Sequence, residues 1–262
     1  VIYERLAEAI RDNKPVVVAT VIEGPNTGAK LLVAPDDNTV MGSLGDPDLD
    51  RVVERDARGE LAAGVTIVRH YGEHGEARER AVGVFIESFA RPPQMLIFGA
   101  VDFTAALATM AKALGYHVTV CDAREVFATK RRFPMAHEVV VDWPNRLIDR
   151  VGPSLGPRDA VCVLTHDVKF DVPAIMSALA TDVGYLGAMG SRRTHDERTA
   201  RLREEGVDDD GIARVRAPIG LDLGARTPEE TAIAICAEII ALRTGRVADV
   251  APLRDTSGPI HQ

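Results

Sequence analysis

Met95 to Phe98 is a short apolar run closed by Gly99 and Ala100. Ala106, Leu107, Met110, Ala113 and Leu114 then recur at helical spacing, and Val118 to Cys121 form a second short run ending at Asp122. A buried run, a tight turn, an amphipathic helix and another buried run predict a β-α-β unit. The alternation continues. Glu138 to Val141, Ala160 to Thr165 and Gly184 to Ala188 read as strands, with helical segments at Asn145 to Val151, Pro173 to Ala180 and the polar run Ser191 to Glu205, which Ser191 is placed to cap. Thr227-Pro228-Glu229-Glu230 is a capping box with proline at the first helical position, opening a helix that runs to about Thr244. Strands alternating with helices predict a parallel sheet of Rossmann-like type.

The preceding stretch is patterned differently. Ile2, Leu6, Ala9 and Ile10 set against Glu4, Arg5, Glu8 and Arg11 predict one amphipathic helix, stopped by Pro15. Val16 to Ile22, Leu31 to Val33 and Thr39 to Ser43 are strand-like runs separated by the turn clusters Gly24 to Gly28 and Asp36 to Asn38, a small antiparallel meander. Asp46 and Pro47 suit the cap and first position of a helix that places Leu49, Val52 and Val53 on one face. Thr66 to Tyr71 and Glu79 to Ser88 flank a Gly72 to Gly75 turn, and Arg91-Pro92-Pro93 reads as a linker. The fold expected is therefore α/β: a smaller α+β domain over residues 1–91, a Rossmann-like parallel-sheet domain over 92–250, and an irregular tail over 251–262.

Composition narrows the functional classes. The chain has 262 residues, 46% of them hydrophobic, with 31 basic against 39 acidic residues and a net charge of −8, which argues against a nucleic-acid surface. Its three cysteines include no C-x-x-C pair, which points to a reducing compartment. No apolar run reaches about 18 residues and no basic-then-apolar leader opens the chain, so neither a membrane span nor export is expected and the cytoplasm is the expected location. The scattered histidines and acids show no metal-ligand spacing.

In an open parallel sheet, ligands sit beyond the carboxyl ends of the strands. Four loops qualify: Gly99 to Asp102, Asp122 to Arg124, Thr165-His166-Asp167, and Gly190-Ser191-Arg192-Arg193. Asp122 stands about 20 residues beyond Gly99, where a dinucleotide fold keeps the acid that holds a ribose hydroxyl. The glycine fingerprint is degenerate, however, since Val101 and Asp102 bring a branched side chain and a negative charge where phosphate would approach. Gly190 to Arg193 is the strongest anion signal, a Gly-Ser turn at a helix start with two guanidinium groups. The alternative is that Arg192 and Arg193 pair with Asp196 or Glu197 along a solvated helix. His166 and Asp167 follow a strand directly, but no serine or cysteine nearby completes a triad. Asp102 and Asp122 stand at adjacent strand tips as a candidate carboxylate pair, but such acids more often cap the turn and the helix. Cys121, Cys162 and Cys236 fall at core positions. Gly28 with Lys30, and the turn from Gly42 through Ser43 to Gly45, could approach a ligand, though hairpin geometry also explains them.

Several stretches together resemble the XdhC/CoxI family, accessory factors for molybdenum hydroxylases such as xanthine dehydrogenase and carbon monoxide dehydrogenase. They are Gly24-Pro-Asn-Thr-Gly-Ala-Lys-Leu-Leu-Val33, Met95-Leu-Ile-Phe-Gly-Ala100, Val163-Leu-Thr-His-Asp167, Gly184-Tyr-Leu-Gly-Ala-Met-Gly-Ser-Arg-Arg193 and Ala217-Pro-Ile-Gly-Leu-Asp-Leu-Gly-Ala-Arg-Thr-Pro-Glu-Glu230. The resemblance implies a protein that binds a molybdopterin-type molybdenum cofactor, in its simple or nucleotide form, and assists its sulfuration or insertion. The implied partners are an apo-hydroxylase and a cysteine desulfurase, and the implied assembly is a homodimer. It assigns Ser191, Arg192 and Arg193, with Gly190, to the phosphate tail, Gly99 and Ala100 to close backbone approach, and Thr165, His166 and Asp167 to polar contacts. Asp102, Asp122, Gly28, Lys30 and Ser43 complete the candidate cofactor-binding set. Two departures stand out. Asp48 occupies the position of a family cysteine suited to handling sulfur or molybdenum, and Gly99-Ala-Val-Asp102 replaces a typical Gly-Ala-Gly-His. The competing readings are an NAD(P)-dependent oxidoreductase, supported by Asp122, and a non-catalytic assembly scaffold.

Overall fold

The computed structural model describes residues 2–12, 14–165, 167–247 and 250–251, which divide into two compact units, Val1–Arg91 and Pro92–Gln262. In the first unit, helix α1 (Ile2–Arg11) precedes strands β1 (Val16–Glu23), β2 (Lys30–Ala34) and β3 (Thr39–Ser43), helix α2 (Pro47–Ala63), and strands β4 (Ile67–Tyr71) and β5 (Val82–Phe89). The strands form an antiparallel sheet in the order β3-β2-β1-β5-β4. Strand alternation divides its core. Val17, Ala19 and Val21 of β1 pack with Leu49, Val53, Ala57 and Leu61 of α2, whereas Val16 and Val18 pack with Ala9 of α1 on the other face. Asp46 caps α2 by accepting hydrogen bonds from the N–H groups of Asp48 (2.9 Å) and Leu49 (3.0 Å). The strand expected from Glu79 starts later, at Val82, because Arg78 adopts a left-handed φ of +76° within a longer turn.

The second unit carries β6 (Gln94–Phe98), α3 (Asp102–Ala113), β7 (His117–Asp122), β8 (Glu138–Val141), α4 (Pro144–Val151), β9 (Ala160–Val163), α5 (Val168–Leu179), β10 (Tyr185–Ala188), α6 (Arg192–Glu204), α7 (Asp209–Arg214), β11 (Val215–Arg216) and α8 (Pro228–Arg243). The six strands are parallel, in the order β11-β10-β9-β6-β7-β8. Met95 and Ile97 face α3 and α8, while Leu96 and Phe98 face α4, α5 and α6, so one strand feeds two cores and must be apolar throughout. Consecutive strands β6 and β7 lie side by side, and β9 returns to the other flank of β6, which puts the change in winding direction between β6 and β9.

Helix α5 begins at Val168, ahead of the expected start near Pro173, because Asp167 caps it by accepting from the Lys169 N–H at 3.1 Å; Pro173 then sits inside the helix and leaves the Lys169 carbonyl without its usual donor. Helix α7 and strand β11, too short for the periodicity to register, add the sixth strand. Thr227 and Glu230 make the capping box of α8 through reciprocal bonds of 3.2 and 3.1 Å. Among the described residues no helix is long and apolar enough to cross a membrane.

Leu107 lies fully buried where α3 meets the sheet below the Gly99 turn. Leu107→Ala is expected to lower stability by about 2–5 kcal/mol in urea unfolding followed by circular dichroism.

Candidate functional site

The carboxyl edge of the parallel sheet gathers the ends of β6, β7, β9 and β10, and the loops there differ in how their backbone groups are satisfied. After β6, Gly99 holds φ +107° and is hemmed in: a Cβ there would lie 2.8 Å from Thr165 Cγ2 and 3.0 Å from the Thr165 N. Glycine is required both by conformation and by the neighbouring strand tip. The N–H of Gly99 donates to the Cys121 carbonyl (2.9 Å), that of Ala100 to Asp122 Oδ2 (2.8 Å), and that of Val101 to Thr104 Oγ1 (3.3 Å). Thr104, buried at the last position of the degenerate fingerprint, donates its hydroxyl to the Gly99 carbonyl. The N–H groups of Gly99, Ala100 and Val101 are thus committed inside the protein, while among the described residues those of Asp102 and Phe103 at the start of α3 have no partner. Asp102, the first residue of α3, is exposed.

Asp122, 3% exposed, accepts four hydrogen bonds: from Ala100, from the Arg124 N–H (2.9 Å), from Arg124 Nε (2.9 Å) and from Arg124 Nη2 (2.8 Å). Burial works to raise its pKa, and the bonds from Arg124 and the two N–H groups outweigh it, holding the carboxyl below the ordinary value. The ribose role expected of Asp122 meets a carboxylate with both oxygens already filled.

After β9, Thr165 is buried and turns its hydroxyl inward to Asp171 of α5. Asp171 in turn receives Arg198 Nη2 at 2.9 Å, and the same nitrogen reaches the Met189 carbonyl at 2.8 Å. Arg198, 2% exposed, therefore ties α6 to the ends of β9 and β10, while its Nε and Nη1 are buried and have no partner among the described residues. Asp167 is half-exposed at the start of α5 and lies 3.4 Å from Lys169 Nζ. His166 lies outside the described residues.

After β10, the Gly190 turn leads into α6. Ser191 caps it, its Oγ accepting from the Thr194 N–H at 3.2 Å. Among the described residues the N–H groups of Gly190, Ser191, Arg192 and Arg193 have no hydrogen-bond partner, and Arg192 and Arg193 are exposed. Arg193, 88% exposed, stands 3.4 Å from Glu197, the pairing weighed against an anion role, but a pair so open to water is weak and yields readily to a ligand. Gly28, Lys30 and Ser43 form their own group in the first unit: Gly28 holds φ +94°, Lys30 Nζ donates to Thr20 Oγ1 at 2.8 Å, and Lys30 faces Ser43 across β2 and β3. Asp48 lies exposed in the first turn of α2, bonded to Arg51 at 2.8 Å.

All three cysteines are buried. Burial pushes the Cys121 thiol up to about 12 and that of Cys236 up to about 11, and raises that of Cys162 as well, so none is disposed to form a thiolate. The sequence reading missed Arg198, Asp171 and the fastening of Arg124. A signal for the first two exists: Asp171 shares a helical face with Ile175 and Ala178, and Arg198 with Leu202, so each is a charge on an apolar stripe.

The family model described as the XdhC Rossmann domain matches residues 95–239, and the model of the XdhC and CoxI family matches residues 9–72. A Bacillus subtilis protein described as a probable xanthine dehydrogenase component is 31% identical over 172 residues, which is 66% of this chain and 49% of that protein. The molybdenum cofactor insertion chaperone PaoD of Escherichia coli is 28% identical over 156 residues, 60% of this chain and 42% of its own. The uncharacterized protein YqeB of Escherichia coli is 26% identical over 258 residues, 92% of this chain and 46% of that protein. The chain spans about half the length of these curated relatives. A crystal structure from Bacillus halodurans, described as a xanthine dehydrogenase, superposes with a TM-score of 0.56 at 22% identity, covering 95% of this chain and 98% of that one, a likeness of fold.

Two outcomes are expected. Asp171→Asn leaves the buried Arg198 charge without its counter-ion and lowers stability by about 3–5 kcal/mol in urea unfolding. Because the folded-state pKa of Asp122 is depressed, its stabilisation is full above the unfolded carboxylate value of about 3.9 and is lost as pH falls through the lower folded value. Melting temperatures of wild type and Asp122→Asn should therefore converge as the pH is lowered from about 5 towards 2.

Proposed function

Because the chain belongs to the XdhC and CoxI family, we propose that it is an accessory factor for molybdenum hydroxylases of the xanthine dehydrogenase or carbon monoxide dehydrogenase type. It takes the molybdenum cofactor as cargo at the carboxyl edge of the parallel sheet and hands it to the apo-hydroxylase. The observation that carries this reading is the row of unpartnered N–H groups from Gly190 to Arg193, at the start of a long helix and flanked by two exposed guanidinium groups. Such a row fits a phosphate tail, since free donors, the helix dipole and bidentate arginine all favour a dianion. Asp167 and Arg124 offer further polar groups at the same edge, and Gly99 and Ala100 keep the β6 turn tight beside them.

The chain's own thiols are buried and Asp48 supplies a hard oxygen where the family has a cysteine. In this reading the chain binds and shields, and the sulfur is supplied by a partner such as a cysteine desulfurase. The oxidoreductase alternative has less support, because the ribose acceptor Asp122 and the Gly99, Ala100 and Val101 N–H groups are already engaged.

Equilibrium binding of molybdopterin cofactor, with NADH and NADPH as competitors, tests the reading. Saturable binding that weakens about tenfold or more in the Arg192→Ala plus Arg193→Ala variant is expected. Dinucleotide binding without pterin binding would overturn it.

A further inference from the structure

Residues 124–133 build a cation–aromatic surface next to Asp122 to which the reading above gives no role beyond a polar contact at Arg124. Three bonds to Asp122, from the Arg124 backbone N–H, Nε and Nη2, fasten Arg124, and its guanidinium carbon lies 4.6 Å from the centroid of the Phe127 ring. The guanidinium carbon of Arg132 lies 5.6 Å from the same centroid and 5.3 Å from that of Phe133, and Arg132 Nη1 donates to the Phe127 carbonyl at 3.2 Å. Two guanidinium groups thus share one ring that is itself 40% exposed. With one edge committed to Asp122 and its carbon standing over the Phe127 ring, the Arg124 side chain still keeps 48% of its surface open. What it offers outward is a flat cationic plane and its Nη1 edge. The surrounding segment is basic, with Arg124, Lys130, Arg131 and Arg132 against Glu125, in a chain whose net charge is −8.

We infer that this surface is a nucleobase shelf: a nucleoside 5′-phosphate stacks its base on the open plane of Arg124 beside Phe127 and Arg132, and the basic segment draws its phosphate. A guanidinium stacks on any aromatic heterocycle, and stacking tolerates base identity. The ribose diol plays no part in recognition, because Asp122 has no free acceptor to give it. The inference rests on the proposed function to the extent that the nucleoside belongs to a nucleotide tail on the cargo; a nicotinamide dinucleotide would present the same chemistry.

Isothermal titration of the full chain with CMP, AMP and ribose 5-phosphate, and separately with molybdopterin lacking a nucleotide, tests it. A nucleotide is expected to bind about tenfold tighter than ribose 5-phosphate, an advantage that Phe127→Ala, Arg132→Ala and Arg124→Lys each reduce while affinity for ribose 5-phosphate stays the same in Phe127→Ala. Arg124→Lys keeps the charge and removes the plane, so its loss separates stacking from simple attraction; should it fail to melt cooperatively, Phe127→Ala decides alone. Preference for CMP assigns the shelf to a pyrimidine tail and preference for AMP to an adenine dinucleotide, and both support it. Equal affinity for CMP, AMP and ribose 5-phosphate, or an undiminished advantage in Phe127→Ala, overturns it. Molybdopterin binding without nucleotide binding overturns the shelf and leaves the proposed function standing; nucleotide binding without molybdopterin binding does the reverse.

Discussion

Each strand of a parallel sheet ends in a turn whose N–H groups need acceptors, and here a buried carboxylate answers that need. Asp122 takes the Ala100 N–H and both the backbone and the side chain of Arg124, locking the end of β6 to the end of β7. One strand further, Asp171 takes the Thr165 hydroxyl and Arg198, locking β9 to β10 and α6. An ordinary dinucleotide fold leaves the first of these turns open to pyrophosphate. Here the N–H groups of Gly99, Ala100 and Val101 are engaged, and among the described residues the longer row of open donors lies at the start of α6, where Ser191 caps only the Thr194 N–H. The anion site proposed at the start of α6 thus uses donors that the protein has not spent on its own hydrogen bonds.

The elements that sequence reading recovered are those governed by local physics. The apolar run Met95 to Phe98, the caps Asp46, Ser191 and Thr227, and the helical stripe of α3 all depend on neighbours within a turn or two. Where local signals competed, the expectation slipped: Pro173 looks like a helix start, but the Asp167 cap acts first. The site was legible as a set of loops and not as a set of bonds. Spacing put Asp122 at the end of β7, but spacing carries no information about the occupancy of its oxygens, which depends on how Arg124 folds back and on Ala100, 22 positions away. Asp171 and Arg198 are 27 positions apart and meet only because α5 and α6 flank the same strands. Each betrays itself as a charge on an apolar stripe, though the identity of its partner is a property of the folded chain.

Chemistry and electrostatics then point the same way. Burial raises the pKa of all three thiols and disfavours a thiolate at each, which is why the proposed function gives this chain binding and orientation. The negative net charge makes its local cationic groups informative, since positive potential against an acidic background is concentrated at few places.

Two of those places are on one edge of one sheet. Arg124 and Arg132 follow β7, and Arg192 and Arg193 follow β10, with β6 and β9 between them. At about 4.8 Å per strand the ends of β7 and β10 stand roughly 14 Å apart. A single phosphate reaches one of them only. A ligand that engages both must carry separated recognition elements: an anionic group for the open helix start and a flat heterocycle for the guanidinium plane. Between them the N–H groups of Gly99, Ala100 and Val101 are engaged and Gly99 packs against Thr165, so in the proposed reading a ligand crossing β6 and β9 meets a turn whose own bonds are already made.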